Sequence, residues 1–509
     1  MIIFLGIQLK LAKENLSYIL GLKLKKARTE KGLSLKELAE STNLSISYLS
    51  EIEKGKKYPK PEKIISISEA LQISFESLVS PKVDEELNPL QEVMDSIFFR
   101  EFPFKLFGIS YRNILDLITE SPQKAGAFLK TFVEISQIYD VRVEHLFYAA
   151  LRSYQKMNMN YFPELEESAD QFIKENEWEI SAFIDMTKYR NTLKSTYGYI
   201  ISEDELDSYP QLSNFRSVYV DSKRPKLLIN KKLLPSQKAF IYAREIGYHY
   251  LGLHERIKTS AFTNVSSFDQ VLNNFKASYF AGALLINKNM LKKDLKNFFN
   301  ESKWSGRKFL AIMKKYNATP EMFIYRFGHL IYNLFGIKEF HYLRFNNKVG
   351  TNQFNLVKEL NMSPVIAPHS IGLNEHYCQR WLSIGLLNQL AEKQNKGVAK
   401  STLVDVQRAK FIETDAEFFT ISLARPLVLN SDTNSSMIIG FLINDKFKKK
   451  VKFWDDPAIK NTFINETCER CGLSKEECSE RVAPPIIYEQ IRNQKLREDS
   501  LNKLIKKLK

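Results

Sequence analysis

The sequence predicts a mainly α chain with α+β parts. It should run from a five-helix N-terminal domain through a helical linker region to a mixed domain built on one long helix, then a mixed α/β C-terminal domain. Three observations predict this order. Helix start and stop signals crowd into residues 22–79. Apolar residues then recur at helical spacing to about Trp178, as in Phe128, Phe132, Ile135 and Ile138. Beyond Phe335, residues 418–424, 427–429 and 437–443 are apolar runs between turn residues, as antiparallel strands would be.

Within the first domain, Leu22, Leu24, Ala27 and Arg28 keep helical spacing until Gly32. Ser34 stands three residues before Glu37, a capping-box pattern that starts a second helix over residues 35–41. Asn43 makes the turn. Ser45 caps a third helix over residues 46–54, stopped by Gly55 and Pro59. Leu35, Leu38, Ala39, Leu44, Leu49 and Ile52 fall where two steeply crossed helices share a core. Ser45, Ser47, Tyr48 and Ser50 are left pointing outward, short polar groups of the kind that approach base edges in a major groove. Lys54, Lys56 and Lys57 follow, placed to meet phosphate. These motifs resemble the helix-turn-helix of the XRE/Cro repressor family, which implies a double-stranded DNA operator as partner.

Composition narrows the rest. A length of 509 residues allows about two to four domains. A net charge of +15 favours a polyanionic partner. No apolar run is long enough for a membrane span, so no membrane partner is expected. Residues 1–6 are apolar, but Lys10 and Lys13 follow and no cleavage site does, so no signal peptide is expected. Four cysteines, three of them crowded together, argue for a reduced cytoplasmic setting; the resemblance to a repressor family implies a bacterial one, nucleoid-associated when DNA is bound. The expected domains are 1–80, 81–180 (an acidic hinge at residues 81–89, then helices), 181–345 and 346–509.

Residues 238–252 are laid out like a zincin helix, in which histidines at i and i+4 hold Zn²⁺ and the glutamate after the first polarises water. Glu245 and His249 are present, but Arg244 stands at the first ligand position and has no lone pair to offer. His249 also reads as a packed core histidine beside Glu245. The surroundings resemble the ImmA/IrrE family of metallopeptidase-like domains. That resemblance places Lys276 where the family has its third ligand, a carboxylate. With two ligands replaced by cations, no zinc is expected there. Charge contacts of the Arg244–Glu245 type would hold the helices instead; a neighbour such as His254 could repair one substitution but not two.

Cys468, Cys471 and Cys478 form C-x2-C-x6-C, a spacing that lets soft thiolates converge on zinc or an iron–sulfur cluster. Cys378 is the candidate fourth ligand, with His376 as another; idle reduced thiols are the alternative. The order of helix-turn-helix, degenerate ImmA/IrrE-like domain and three cysteines before Arg-x-x-Pro-Pro is similar to the short-chain fatty acyl regulators. Here residues 472–477 separate the last two cysteines more widely than in that family. The resemblance implies a transcription factor that senses an acyl-CoA-like metabolite through its C-terminal half, with a possible cluster at the tail. Arg380, Lys410 and Arg425 are candidate cations for the CoA phosphates. The expected function is therefore a sequence-specific regulator, a homodimer reading half-sites about 34 Å apart. The alternative is an ImmA/IrrE-type zinc peptidase that cleaves a partner repressor. A basic helix over residues 486–509 ends the chain.

Overall fold

The computed structural model describes residues 16–17, 19–80, 102–109, 131, 143–182, 185–259, 265–364, 375–398, 402–412, 414 and 416–508. The expected hinge and most of the helical stretch after it lie outside these. The chain divides into two compact units, Met1–Ala150 and Leu151–Lys509.

In the first unit, α1 (19–30), α2 (Leu35–Thr42), α3 (Ile46–Glu53), α4 (Pro61–Ala70) and α5 (Phe75–Val79) enclose one core. Leu24, Leu38, Leu49, Ile52 and Leu71 in it are fully buried. Expected core residues Leu35 and Leu44 pack against its edge. The caps are as the sequence signals. Ser34 and Glu37 form a reciprocal capping box, Asn43 takes the left-handed conformation at φ 53, and Ser45 caps α3. Gly21 lets α1 cross α3 closely, since a Cβ there would stand 2.3 Å from the Ile52 carbonyl oxygen. Arg28 closes the fold with a two-pronged bond to buried Glu53, at 2.6 and 3.1 Å.

A helix, α6 (Val143–Met157), spans the division between units. In the second unit, α7 (Pro163–Glu175) and α8 (Met186–Ser195) lead into a small sheet. Its strands are β1 (Ile200–Ser202), β2 (Ser217–Val220) and β3 (Lys226–Ile229), with β3 central, parallel to β1 and antiparallel to β2. Then come α9 (Pro235–Tyr250), α10 (Phe268–Leu285), α11 (Lys288–Phe299), α12 (Gly306–Lys315) and α13 (Pro320–Phe335). Gly247 brings α9 hard against α10, because a Cβ there would lie 3.2 Å from the Ala277 carbonyl oxygen.

The large sheet follows: β4 (Phe340–Lys348), β5 (Phe354–Asn361), α14 (Leu382–Asn395), β6 (Leu403–Phe411), β7 (Glu417–Pro426), β8 (Thr433–Leu442), α15 (Asp445–Lys450) and β9 (Lys460–Ile464). Its order is β5-β4-β8-β7-β6-β9, antiparallel except for β6 against β9. Strand alternation gives it two apolar faces. Tyr342, Leu423 and Ile439 pack on Leu295, Phe309 and Phe327 of α11–α13. Leu343, Phe418 and Ile438 pack on Trp381 and on Leu387 of α14. A sheet covered on both sides needs apolar residues at every position, which explains the unbroken runs in β7 and β8. The expected boundary at residue 345 runs through β4, and helices and sheet share one core. Residues 427–429, expected as a strand, are instead part of the β7–β8 connection, because the last register pair is Pro426 with Asn434. The terminal helix α16 (Ile486–Leu508) has no buried residue.

Candidate functional site

On the first unit, Ser34, Ser45, Ser47, Lys54, Lys56 and Lys57 are exposed, and Tyr48 and Ser50 are partly so. The groups are not equally free. The Ser34 hydroxyl is spent on the Glu37 amide at 3.2 Å, and Ser45 Oγ accepts from the Tyr48 amide at 3.1 Å. Ser47 Oγ lies 3.2 Å from Ser45 Oγ at the open N-terminal end of α3. Lys57 Nζ is 2.7 Å from Glu51, which raises the lysine's pKa through that hydrogen bond. Sequence reasoning missed two neighbours. Ile46 is 48% exposed at the start of α3, an apolar contact of the kind a thymine methyl accepts. Lys63 Nζ sits 4.3 Å from the Tyr48 ring and fixes its face.

In the second unit, α9 carries Arg244, Glu245 and His249. Glu245 is 1% exposed. One of its oxygens is bonded by Arg256 Nη2 and receives the Tyr199 hydroxyl at 3.2 Å; the other lies 3.7 Å from Arg244 Nη2. The same Tyr199 hydroxyl is 2.8 Å from His249 Nε2. The His249 ring stacks on Tyr197. Arg256 is clamped between aromatic faces, 3.6 Å from the Tyr219 centroid and 4.2 Å from that of Tyr248. Burial works against its charge, but Glu245 and Tyr199 hold its pKa above the ordinary value. Burial, with Arg256 nearby, lowers that of His249. The Arg244–Glu245 contact expected from sequence is thus the longer of two, and Arg256 makes the main one. Its signal was weak, a lone arginine past Gly252, whose φ of +64 turns the chain back. His254 is exposed, and Lys276 is partly buried on α10.

The four cysteines are all buried. An antiparallel bridge between Tyr377 and Thr467 puts Cys378 and Cys468 on one face as diagonal neighbours. Burial first, then Cys468 and Cys471 nearby, push the Cys378 thiol up to about 11. His376 is not turned to the thiols: its Nδ1 pairs with Glu469 at 2.8 Å. Arg481 of Arg-x-x-Pro-Pro closes the loop, bonding the carbonyls of Cys468 at 3.0 Å, Cys471 at 2.6 Å and Leu473 at 2.5 Å. Tyr488 lies flat on Gly472, where a Cβ would meet the ring at 2.6 Å. Among the described residues, no group of three or more His, Cys, Asp or Glu side chains is set to hold a metal ion.

Beside this loop is a cleft of about 450 Å³ lined by Arg380, Gly385, Gln407, Lys460, Thr462 and Glu480. The candidate phosphate cations are dispersed. Arg380 is bonded to Glu480 at 3.2 Å, whereas Arg425 is bonded to Glu321 at 2.8 Å.

Comparison with known proteins places these geometries. Residues 24–78 match the helix-turn-helix family model, and residues 208–327 match the model of the IrrE N-terminal-like domain, a peptidase family. Two curated relatives, the transcriptional regulator ClgR from two strains of Mycobacterium tuberculosis, are 42% identical over 55 residues, 11% of this chain and 49% of theirs. The chain therefore spans about half the length of the curated relatives it matches. A solved Mycobacterium tuberculosis transcriptional regulator covers 65% of this chain and 92% of its own at 16% identity, with a TM-score of 0.46. The chain thus carries an XRE-type helix-turn-helix domain and an IrrE-like domain. No helix among the described residues is long and apolar enough to cross a membrane.

Proposed function

We propose that this helix-turn-helix and IrrE-like chain is a sequence-specific transcription regulator, acting as a homodimer, in which the second unit senses a small metabolite of acyl-CoA type. The observation that carries this is the N-terminal end of α3, where Ile46 and Ser47 are exposed and Tyr48, packed against the edge of the core, keeps part of its surface open. Selection of bound genomic fragments, followed by binding titrations, tests it. Fragments from one set of metabolic promoters should be enriched, and indiscriminate recovery would refute the reading.

The IrrE-like domain is read as a scaffold without catalysis. A zincin needs a free glutamate and three ligands facing one ion. Here Glu245 is bound to a guanidinium, His249 Nε2 is engaged by Tyr199, and Arg244 and Lys276 bring positive charge to two ligand positions. These residues do not fit a dication. The peptidase reading requires about one zinc per chain, lost in Glu245→Gln and His249→Ala. Metal analysis should find no such zinc.

The cysteine loop is read as an iron–sulfur candidate. Three buried thiols on the tail loop, with buried Cys378 on the segment bridged to it, are soft donors of the kind a cluster takes. Protein purified without oxygen should be brown and contain iron, and Cys468→Ser should remove both. A colourless, iron-free chain would leave the thiols a structural loop closed by Arg481.

A further inference from the structure

Across four neighbouring strands, one face of the large sheet carries a row of cations. Lys358 of β5 pairs in register with Arg344 of β4, and Arg425 of β7 pairs with Ser435 of the β8 strand between them. Arg344 Nε donates to Ser435 Oγ at 3.0 Å. Among the described residues, the contacts to this row from the helices opposite include one carboxylate. Glu321, in the first turn of α13, bonds Arg425 Nη2 at 2.8 Å and lies 3.7 Å from Arg344 Nη2. One turn on, the Tyr325 ring lies 3.9 Å from Lys358 Nζ. Arg216, which leads into β2, feels the charges of Arg344, Arg425 and Arg244 of α9. The nearby acids have other partners: Glu245 is held by Arg256, and Glu359 lies 3.5 Å from Arg152.

Arg425 and Arg344 thus share one carboxylate where helices and sheet meet, with Lys358 paired in register beside Arg344 and Arg216 within reach of their charge. Buried like charges repel strongly and are retained only when something offsets them. The cluster is also incompletely bonded, since the Nε atoms of Arg425 and Arg244 are buried without a partner and Arg425 is 7% exposed. Solvent nevertheless reaches it. Arg216 and Lys358 are exposed, yet burial lowers the pKa of both, that of Lys358 to about 8. The row thus runs inward from solvent-reached Lys358 and Arg216 to buried Arg425. Arginine forks match the paired oxygens of phosphate, and a phosphoryl group supplies close to two charges at neutral pH.

We propose that this row of cations, between the sheet and the IrrE-like helices, is a receptor for a phosphoryl group of the effector, held by Arg344, Arg425, Arg216 and Lys358. It rests on reading the second unit as a sensor. Arg244, the residue in place of a peptidase's first metal ligand, adds its charge beside Arg216, so the cation that removes zinc chemistry serves anion binding instead.

Inorganic pyrophosphate is the probe, titrated into the full chain by calorimetry at constant ionic strength. Wild type should bind it saturably and melt later. Arg344→Gln and Lys358→Gln should each bind at least tenfold more weakly; the first leaves Glu321 paired with Arg425, and the second alters a solvent-reached side chain. Should Arg344→Gln not fold, Lys358→Gln decides. Wild-type stabilisation no greater than that of sodium chloride at the same ionic strength overturns the proposal, as does unchanged binding in the folded variants. Operator affinity measured with and without saturating pyrophosphate separates the two readings. Saturable binding with no change in operator affinity keeps the receptor and removes the sensor.

Discussion

Arg256 stacks between Tyr219 and Tyr248 with its charge on Glu245, a carboxylate that water does not reach. Removing the guanidinium strands a buried charge. Arg256→Met should therefore cost about 3–5 kcal/mol in urea unfolding. The double variant Arg256→Met, Glu245→Leu should recover most of it, whereas a loss under about 1 kcal/mol in the single variant would show that the pair does not hold the domain. On the DNA-binding domain, Lys56→Ala should lower the slope of log affinity against log salt by about 1. Lys57→Ala should lower it less, because Glu51 already holds that ammonium. Equal slopes for the two would refute the distinction. Arg244 was legible because a zincin helix fixes its ligand spacing, and Lys276 only through the resemblance to the ImmA/IrrE family. Arg256 was not, because its partner lies across a turn that no periodicity encodes.

Caps made α2 and α3 readable almost to the residue, since Ser34, Glu37, Asn43 and Ser45 act within a few positions of their own backbone. Strands β7 and β8 were readable from continuous apolar runs. Strand order and the faces that pack on α11–α13 or α14 were not, because they depend on partners far along the chain. The cation row across β5, β4 and β7 shows this best: its members lie up to about eighty residues apart in sequence and meet only through strand register. The same pairing sets Gly440 opposite His341, where an added Cβ would stand 2.4 Å from the ring. Gly440→Ala should overpack the sheet and cost about 1–3 kcal/mol in thermal or urea unfolding. A neutral result would mean that the His341 ring moves aside freely.

Across the second unit, Glu321 ties α13 to β4 and β7. Burial alone would raise its carboxyl, but Arg425 and Arg344 bring it down to about 2. A depressed acid stabilises the fold above its unfolded pKa of about 4.3, and that contribution is lost as pH falls from there towards 2. Glu321→Gln should flatten the pH dependence of stability in that window; an unchanged profile would place the acid sensitivity elsewhere. The helices α11–α13 and the sheet share one apolar core, and this charge cluster joins α13 to the sheet beside it. The output is the helix-turn-helix. The most direct measurement is an anisotropy titration of the full chain on its most enriched genomic fragment and on a scrambled copy, at physiological salt. Wild type should prefer the fragment by about a thousandfold or more, and Ser47→Ala, Tyr48→Ala should erase that preference while keeping salt-dependent affinity. Equal wild-type affinity for fragment and scramble would contradict sequence-specific regulation outright.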